Sequence, residues 1–278
     1  MTTGTEIPLS PYIVVKSAGE MASAIAWRLY MANMRRICML DLDNPLCVRR
    51  QVSFCTALES GAATVEGVRA VAARDRDEIE AAWRAQTIAV VRISDWDRIE
   101  GVAPDVVIDA ILAKRNLGTR KDEANLVIAL GPGFTAGADC DLVIETNRGH
   151  DLGRIIASGC AAPNTGIPGD IAGHTDDRVL RAPASGIFES QRAIGDSVYR
   201  NDVIGQVASQ PVTARLDGML RGLIRPGTAV TAGLKLGDID PRARREHCHT
   251  ISDKARAIAG AVLEGVMRYC NLPGSMKC

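Results

Sequence analysis

The chain has 278 residues, with 33 basic and 33 acidic side chains and no formal net charge. Such a balance offers no cationic field for nucleic acid or anionic lipid, and with 4% aromatic residues there are few platforms for stacking bases, so neither nucleic acid nor a membrane is an expected partner. Eight cysteines with no Cys-x-x-Cys spacing, in a chain long enough for a hydrophobic core, read as reduced thiols, several of them core residues. The amino-terminal MTTGTEIPLSPY lacks the basic and apolar regions of a signal peptide, and no apolar run is long enough to span a bilayer, so a cytoplasmic location is expected.

Tyr12–Lys16 is a β-branched run ending at Ser17-Ala-Gly-Glu-Met-Ala22. Met21, Ala24, Ile25, Leu29 and Met31 follow near helical spacing, and Ile37–Leu42 reads as a second strand closing on Asp41 and Asp43. Strand, glycine turn, helix, strand and terminal acid form the opening unit of a dinucleotide-type sheet. The pattern then predicts helices over Leu46–Ser60 and Asp75–Ala85, and strands over Thr87–Ile93, Asp105–Ala110, Leu126–Leu130 and Asp141–Thr146. The strand cores are apolar on both faces, which implies a mostly parallel sheet between helices. Residues 147–178, rich in Gly, Pro, Asn, Asp and Thr, form a polar connection.

Residues 182–237 contain an internal repeat. Ala182, Gly186, Gly195, Val198 and Gly205 recur 32 positions later as Ala214, Gly218, Gly227, Val230 and Gly237. Glycines at a fixed offset suggest repeated turns between short strands, and the pattern resembles the biotinyl/lipoyl domain, a small pseudo-twofold barrel-sandwich. In that family a lysine at the hairpin between the halves takes the cofactor. The corresponding join here, Ala208-Ser-Gln-Pro-Val-Thr213, has no lysine, so swinging-arm chemistry is not expected. After the repeat, Ser252 can cap a final helix whose apolar stripe includes Ala255, Ile258, Val262 and Val266. Gly260 and Gly265 each cost this helix about 1 kcal/mol in propensity, which a close packing contact would explain. The expected organisation is a Rossmann-like α/β domain (1–150), a polar connecting segment (151–178), a lysine-less barrel-sandwich lobe (179–241) and a C-terminal helix docking on the α/β domain (242–278).

Ser17-x-Gly19-x-x-Ala22 is a degenerate dinucleotide fingerprint in which serine replaces the first glycine. Glu20, beside Met21 at the helix start, would be stabilised by the helix dipole but would repel a pyrophosphate. Asp41 has roughly the offset of a ribose-binding acid. Gly131-Pro132-Gly133-Phe134-Thr135-Ala-Gly137 follows a buried strand, where backbone amides can converge on an anion. Thr146-Asn147-Arg148-Gly149-His150 follows the next strand, and Asn164-Thr165 lies beyond it. Together these loops read as a polar shell facing a phosphorylated ligand. Arg49 and Arg50 read as a solvated face. His247-Cys248-His249, read as strand, lacks zinc-type spacing, and Cys248 is the best thiol to face a ligand. No metal site is expected. No nucleophile elbow, HExxH or P-loop occurs, so no nucleophile–base pair is self-evident and the catalytic residues are unassigned, with His150 and Cys248 as candidates.

VVKSAGEMASAIAWRL, VRRQVSF, LGPGFTAGADCDLVIETNRGH, PNTGIPG, RVLRAPASGIF, GLKLGDIDPR and TISDKARAIAGAVLE together resemble YqeB-type accessory proteins of the selenium-dependent molybdenum hydroxylase system, related in fold to the XdhC/CoxI maturation factors. The resemblance implies a maturation protein that binds a nucleotide, pterin or molybdenum-cofactor ligand and has a molybdenum hydroxylase as client. Two alternatives are an NAD(P)-dependent oxidoreductase built on Gly19, Ala22 and Asp41 with His150 as proton donor, and a non-enzymatic docking scaffold. Whether the chain forms a homo-oligomer is left open.

Overall fold

The computed structural model describes residues 11–99 and 103–271. Its centre is a nine-stranded sheet. In chain order the first strands are β1 (Ile13–Lys16), β2 (Ile37–Asp41), β3 (Ala62–Val65), β4 (Val68–Ala73), β5 (Ile88–Arg92), β6 (Val106–Asp109), β7 (Leu126–Leu130), β8 (Thr135–Ala136), β9 (Leu142–Ile144), β10 (Ile155–Ile156) and β11 (Gly159–Cys160). The large sheet runs β10-β9-β7-β6-β1-β2-β5-β4-β3, while β8 and β11 pair separately. Its six interior pairings are parallel, and the outermost pair at each edge, β3–β4 and β9–β10, is antiparallel.

The period-two alternation of each strand feeds two cores. Ile13, Val15, Ile37, Met39, Val90 and Ile108 meet α1 (Glu20–Met31) and α6 (Asp253–Cys270) on one face. Val14, Leu40, Val91 and Val107 lie on the other, with Ile79 and Ala82 of α3 (Arg76–Arg84). Three further helices, α2 (Ala57–Ser60), α4 (Ile93–Trp96) and α5 (Glu246–His249), are single turns. Asp75 caps α3 by accepting the Glu78 N–H at 2.9 Å, and Ser252 caps α6 by accepting that of Ala255 at 3.2 Å. A Cβ on Gly265 would lie 3.1 Å from Ile128 and Leu142, so this glycine lets α6 approach the sheet, whereas one on Gly260 would meet nothing within 4 Å.

The helix expected over Leu46–Ser60 does not form. The segment is two 3-10 turns, Arg50–Val52 and Phe54–Thr56, leading into α2. Its backbone groups are committed elsewhere: Val48 O accepts from Leu223 N, Phe54 N donates to Ser23 Oγ, and Cys55 N donates to Ala18 O. A continuous helix would strip those groups of their partners. Residues 61–73, unassigned from sequence, form the β3–β4 hairpin with positive φ at Glu66 (42°) and Gly67 (81°), as a two-residue type I′ turn requires. The His247-Cys248-His249 stretch is helical, within α5.

The second part of the chain adds β12 (Val179–Arg181), β13 (Gly186–Glu189), β14 (Ser197–Val198), β15 (Val203–Val207), β16 (Gln210–Thr213), β17 (Gly218–Leu223), β18 (Ala229–Val230) and β19 (Lys235–Asp240). They make two antiparallel four-stranded sheets, β12-β19-β17-β14 and β16-β15-β13-β18, which contribute side chains to one core around Phe188, Leu220 and Leu236. Moving 32 residues along the chain carries β12 to β16, β13 to β17, β14 to β18 and β15 to β19, so each sheet takes strands from both copies. The repeated glycines serve two purposes. Gly195 (φ 100°) and Gly227 (φ 85°) make the turns expected of them. Gly205 and Gly237 lie inside strands, where a Cβ would sit 2.4 Å from Glu189 O and 2.5 Å from Gly222 O. Close backbone approach, rather than φ, excludes a side chain there. The β15–β16 hairpin turns on Ala208 (φ 48°) and Ser209 (φ 61°).

Buried charge joins the two parts. Arg49, 4% exposed, donates to Glu20 at 3.0 Å, to His247 O at 2.9 Å and to Thr250 O at 3.1 Å. It thereby ties the start of α1 to the segment that leads from the small sheets into α6.

Candidate functional site

The sheet order sets the position of the main cleft. From β1 the chain builds outward through β2, β5 and β4 on one side, then through β6, β7 and β9 on the other. Carboxyl ends of parallel strands diverge at such a switch point and leave a crevice. A cleft of about 810 Å³ opens there, along the ends of β1, β2, β5 and β6. Val14, Leu40 and Val107 line it from the sheet, Trp96 and Ile93 from the turn after β5. Leu42, Leu46, Ile93, Ile111 and Leu117 are all exposed large apolar residues, and all five line this cleft. Gathering so much apolar surface around one opening is unfavourable in water unless something covers it.

Polar groups enter the cleft from the first βα turn. Ser17 holds φ at +93°, a conformation that glycine adopts without penalty. The tight turn therefore survives the substitution, with Ser17 Oγ accepting from the Gly19 N–H at 3.1 Å. Asp41 accepts from the Ala18 N–H at 2.7 Å and the Leu42 N–H at 2.8 Å, fixing this turn to the end of β2. Burial raises the Asp41 pKa above its ordinary value, against those bonds. Glu20, the first residue of α1, is paired with Arg49, so its charge at the helix N-terminus is balanced.

A second polar chain went unnoticed in the sequence. Lys16 Nζ lies 2.7 Å from Thr119 Oγ1 and 2.6 Å from Glu123 Oε2, and Thr119 in turn donates to the buried Asp109 carboxylate at 2.7 Å. Lys16, Thr119 and Glu123 line the cleft. The available signal was a lysine ending an otherwise apolar strand, but its partners are 103 and 107 residues away and meet it through the pairing of β1 with β6.

Of the residues expected to bind ligand, Gly19 and Asp41 line the cleft. Glu20 adjoins it through Arg49, while Met21 packs against the core under α1. The loops after β7 and β9 do meet, yet they meet by packing on each other. Gly131 N donates to Ile144 O at 2.9 Å, and a Cβ on Gly131 would be 2.5 Å from Thr146 Oγ1. Phe134 is buried in the core, Pro132 half-buried, and Gly133 presses on the backbone of Arg115, where a Cβ would come within 2.5 Å. The glycine loop thus buttresses the β6 loop that carries Leu117 and Thr119 to the cleft. Thr135 takes Asp139 and Cys160 as partners. The buried Glu145 carboxylate accepts the N–H groups of Asn147 (2.6 Å) and Ala162 (2.7 Å). Arg148 forms a two-pronged pair with Asp253 at the start of α6, at 2.7 and 3.1 Å. Gly149 and His150 are exposed, and Asn164 and Thr165 hold turns within their own loop. Cys248 is wholly buried, its thiol toward Leu220 O, and burial raises its pKa. None of the residues from Gly131 to His150, nor Asn164, Thr165 or Cys248, lines the cleft. Among the described residues no group of three or more His, Cys, Asp or Glu is arranged to hold a metal ion.

Comparison with known proteins adds one informative relationship. The chain is 49% identical over 255 residues, 92% of its length, to the uncharacterized protein YqeB of Escherichia coli (strain K12). This chain is related to YqeB. It spans about half of that relative, 47% of the YqeB length. No family model matches. Solved structures give weak likenesses: an aspartoacylase family protein from Mesorhizobium loti (12% identity, 84% of this chain and 87% of that one, TM-score 0.27) and a succinylglutamatedesuccinylase/aspartoacylase from Rhodobacter sphaeroides (27% identity, 23% and 21%, TM-score 0.20). The ectoine utilization protein EutE (DoeB) from Ruegeria pomeroyi is similarly distant (12% identity, 82% and 56%, TM-score 0.23). These scores are too low to support an argument about fold or activity. Among the described residues no helix is long and apolar enough to cross a membrane.

Proposed function

We propose that the chain is a YqeB-type accessory protein that binds a nucleotide or molybdenum-cofactor-like ligand in the β1–β6 cleft, with a selenium-dependent molybdenum hydroxylase as its client in the cytoplasm. The observation supporting the binding reading is the ring of exposed apolar side chains around a switch-point cleft whose inner edge is polar. The client rests on the sequence resemblance. The residues present suit such a ligand. A flat ring system would lie on Val14, Leu40 and Val107 under Trp96, and phosphate would lie toward Gly19 and the start of α1, where Arg49 offsets the Glu20 charge. Lys16 and Asp41 are placed to orient polar substituents. Bound NAD(P) would supply hydride chemistry and a molybdenum cofactor its metal, while this chain holds the ligand and excludes water from one side. In the same reading the small lobe is a biotinyl/lipoyl-like barrel-sandwich with no lysine at its Ala208-Ser209 tip, and it offers the client a docking face. The test is native mass spectrometry of the chain purified without ligand stripping. A pterin or nucleotide mass that leaves on denaturation supports the proposal; a chain that is ligand-free and takes up neither class when supplied with it refutes it.

A further inference from the structure

Cys47 and Cys55, two of the eight cysteines read as reduced thiols, both lie in the cleft wall. Both line the main cleft and also a narrow pocket that Arg225 and Thr228, between β17 and β18, line as well. The two thiols lie close enough to shift each other's ionisation. Cys47 is 9% exposed and Cys55 1%, so the pair faces the cleft rather than bulk water. Cys55 is anchored through its N–H to Ala18 O at 2.9 Å, in the same turn that carries Ser17 and Gly19. The geometry points to a redox-active dithiol: Cys47 is the nucleophile and Cys55 the resolving thiol for a disulfide-bearing substrate, a small-molecule or peptide disulfide admitted by the cleft.

Exposure sets this division of labour: Cys47 is the thiol that a substrate in the cleft reaches, and Cys55 lies behind it. Contact with Cys55, and with Ser53, lowers the Cys47 pKa against the cost of burial, while the same contact and burial raise that of Cys55. Arg50 and Arg225 place positive charge near the pair, while Glu20 and Asp41 oppose a Cys47 thiolate. By contrast, burial pushes Cys38 and Cys140 up to about 12, leaving them inert. In the first step Cys47 thiolate attacks one sulfur of RS–SR, the S–S bond breaks, and RS⁻ leaves to be protonated. In the second, Cys55 gives up its proton to the second departing thiolate and attacks the Cys47 sulfur, releasing that RSH. The balance is two thiols plus RSSR giving one protein disulfide plus two RSH, with two electrons passing to the substrate.

The test uses the full chain in glutathione redox buffers, trapped with iodoacetamide and mapped by peptide mass spectrometry. Expected is a Cys47–Cys55 crosslinked peptide, lighter by two hydrogens, that forms and reverses with the buffer. Cys55→Ser should instead accumulate glutathione on Cys47, and Cys47→Ser should abolish both products. The proposal is overturned if wild-type protein yields no such crosslink, or if the exposed Cys160 takes up glutathione while Cys47 remains free; the wild-type result stands even where a variant folds poorly. Because no cleft ligand is added, failure here leaves the ligand proposal untouched.

Discussion

Gly131→Ala tests whether the tips of β7 and β9 are packed against each other as described. Alanine at φ +73° brings a left-handed penalty of about 1–2 kcal/mol. Its Cβ would fall 2.5 Å from Thr146 Oγ1, with Thr146 Cβ and Cγ2 also within 3.5 Å, and Thr146 is buried. Oγ1 is the clashing atom, and turning it aside means repacking a buried side chain, so an overpacking cost of about 1–3 kcal/mol is added. The total, about 2–5 kcal/mol, corresponds to a melting temperature lower by roughly 5–15 °C in a chain of this size. Removing the obstacle separates the two contributions. Gly131→Ala combined with Thr146→Ala should recover about 1–3 kcal/mol relative to the sum of the single changes and leave the backbone penalty in place. Urea unfolding followed by circular dichroism measures all four species. Strict additivity within about 0.5 kcal/mol would show that the tips are not in contact and that the space between them is open.

Gly260→Ala should stabilise the chain by about 0.5–1 kcal/mol, since α6 has room for the methyl group, whereas Gly265→Ala should show no such gain against Ile128 and Leu142; thermal melting distinguishes them. Asp240 is wholly inside, and although burial opposes its charge, Arg242, bound at 2.6 and 2.9 Å, helps hold its pKa at about 2 against an ordinary 3.8. A folded value below the unfolded one means stability present above about pH 4 and lost as pH falls toward 2. That contribution, about 2 kcal/mol, should appear as a gap between wild type and Asp240→Asn at neutral pH that closes across this window in acid titration of stability. Gly133→Ala should displace Arg115 and with it the β6 loop, weakening any cleft ligand more than Gly137→Ala, whose Cβ meets nothing; paired binding titrations check this.

The parallel strands were legible because each is an apolar run bounded by turn residues, and β7 begins and ends where its pattern does. The α6 cap was equally plain in Ser252. The 46–60 segment was not, because Val52, Cys55 and Leu58 fit a helical stripe while the partners that unwind it, Ala18, Ser23 and Leu223, are remote in sequence. At the site, Gly19 and Asp41 could be found by spacing within one βαβ unit. Lys16, Thr119 and Glu123 could not, since only sheet pairing brings them together. Loops 131–150 and 164–165 looked like a ligand shell because of their composition. Part of their hydrogen-bonding capacity is spent internally, with Glu145 taking two backbone amides and Arg148 taking Asp253. Composition reveals unspent hydrogen-bonding capacity; it does not reveal where that capacity is spent.

The most direct test of the account is calorimetric titration of the chain with NAD(P)(H), ADP and molybdenum cofactor, repeated on Leu42→Asp and Leu117→Asp. Both side chains are more than half exposed, at 56% and 54%, so neither change should disturb folding, and each places a charge at the cleft mouth. At least one compound should bind wild type saturably, raise its melting temperature by mass action, and lose roughly tenfold or more in affinity in both variants. No binding by wild type, or binding unchanged in both variants, would contradict the assignment of the β1–β6 cleft as the ligand site.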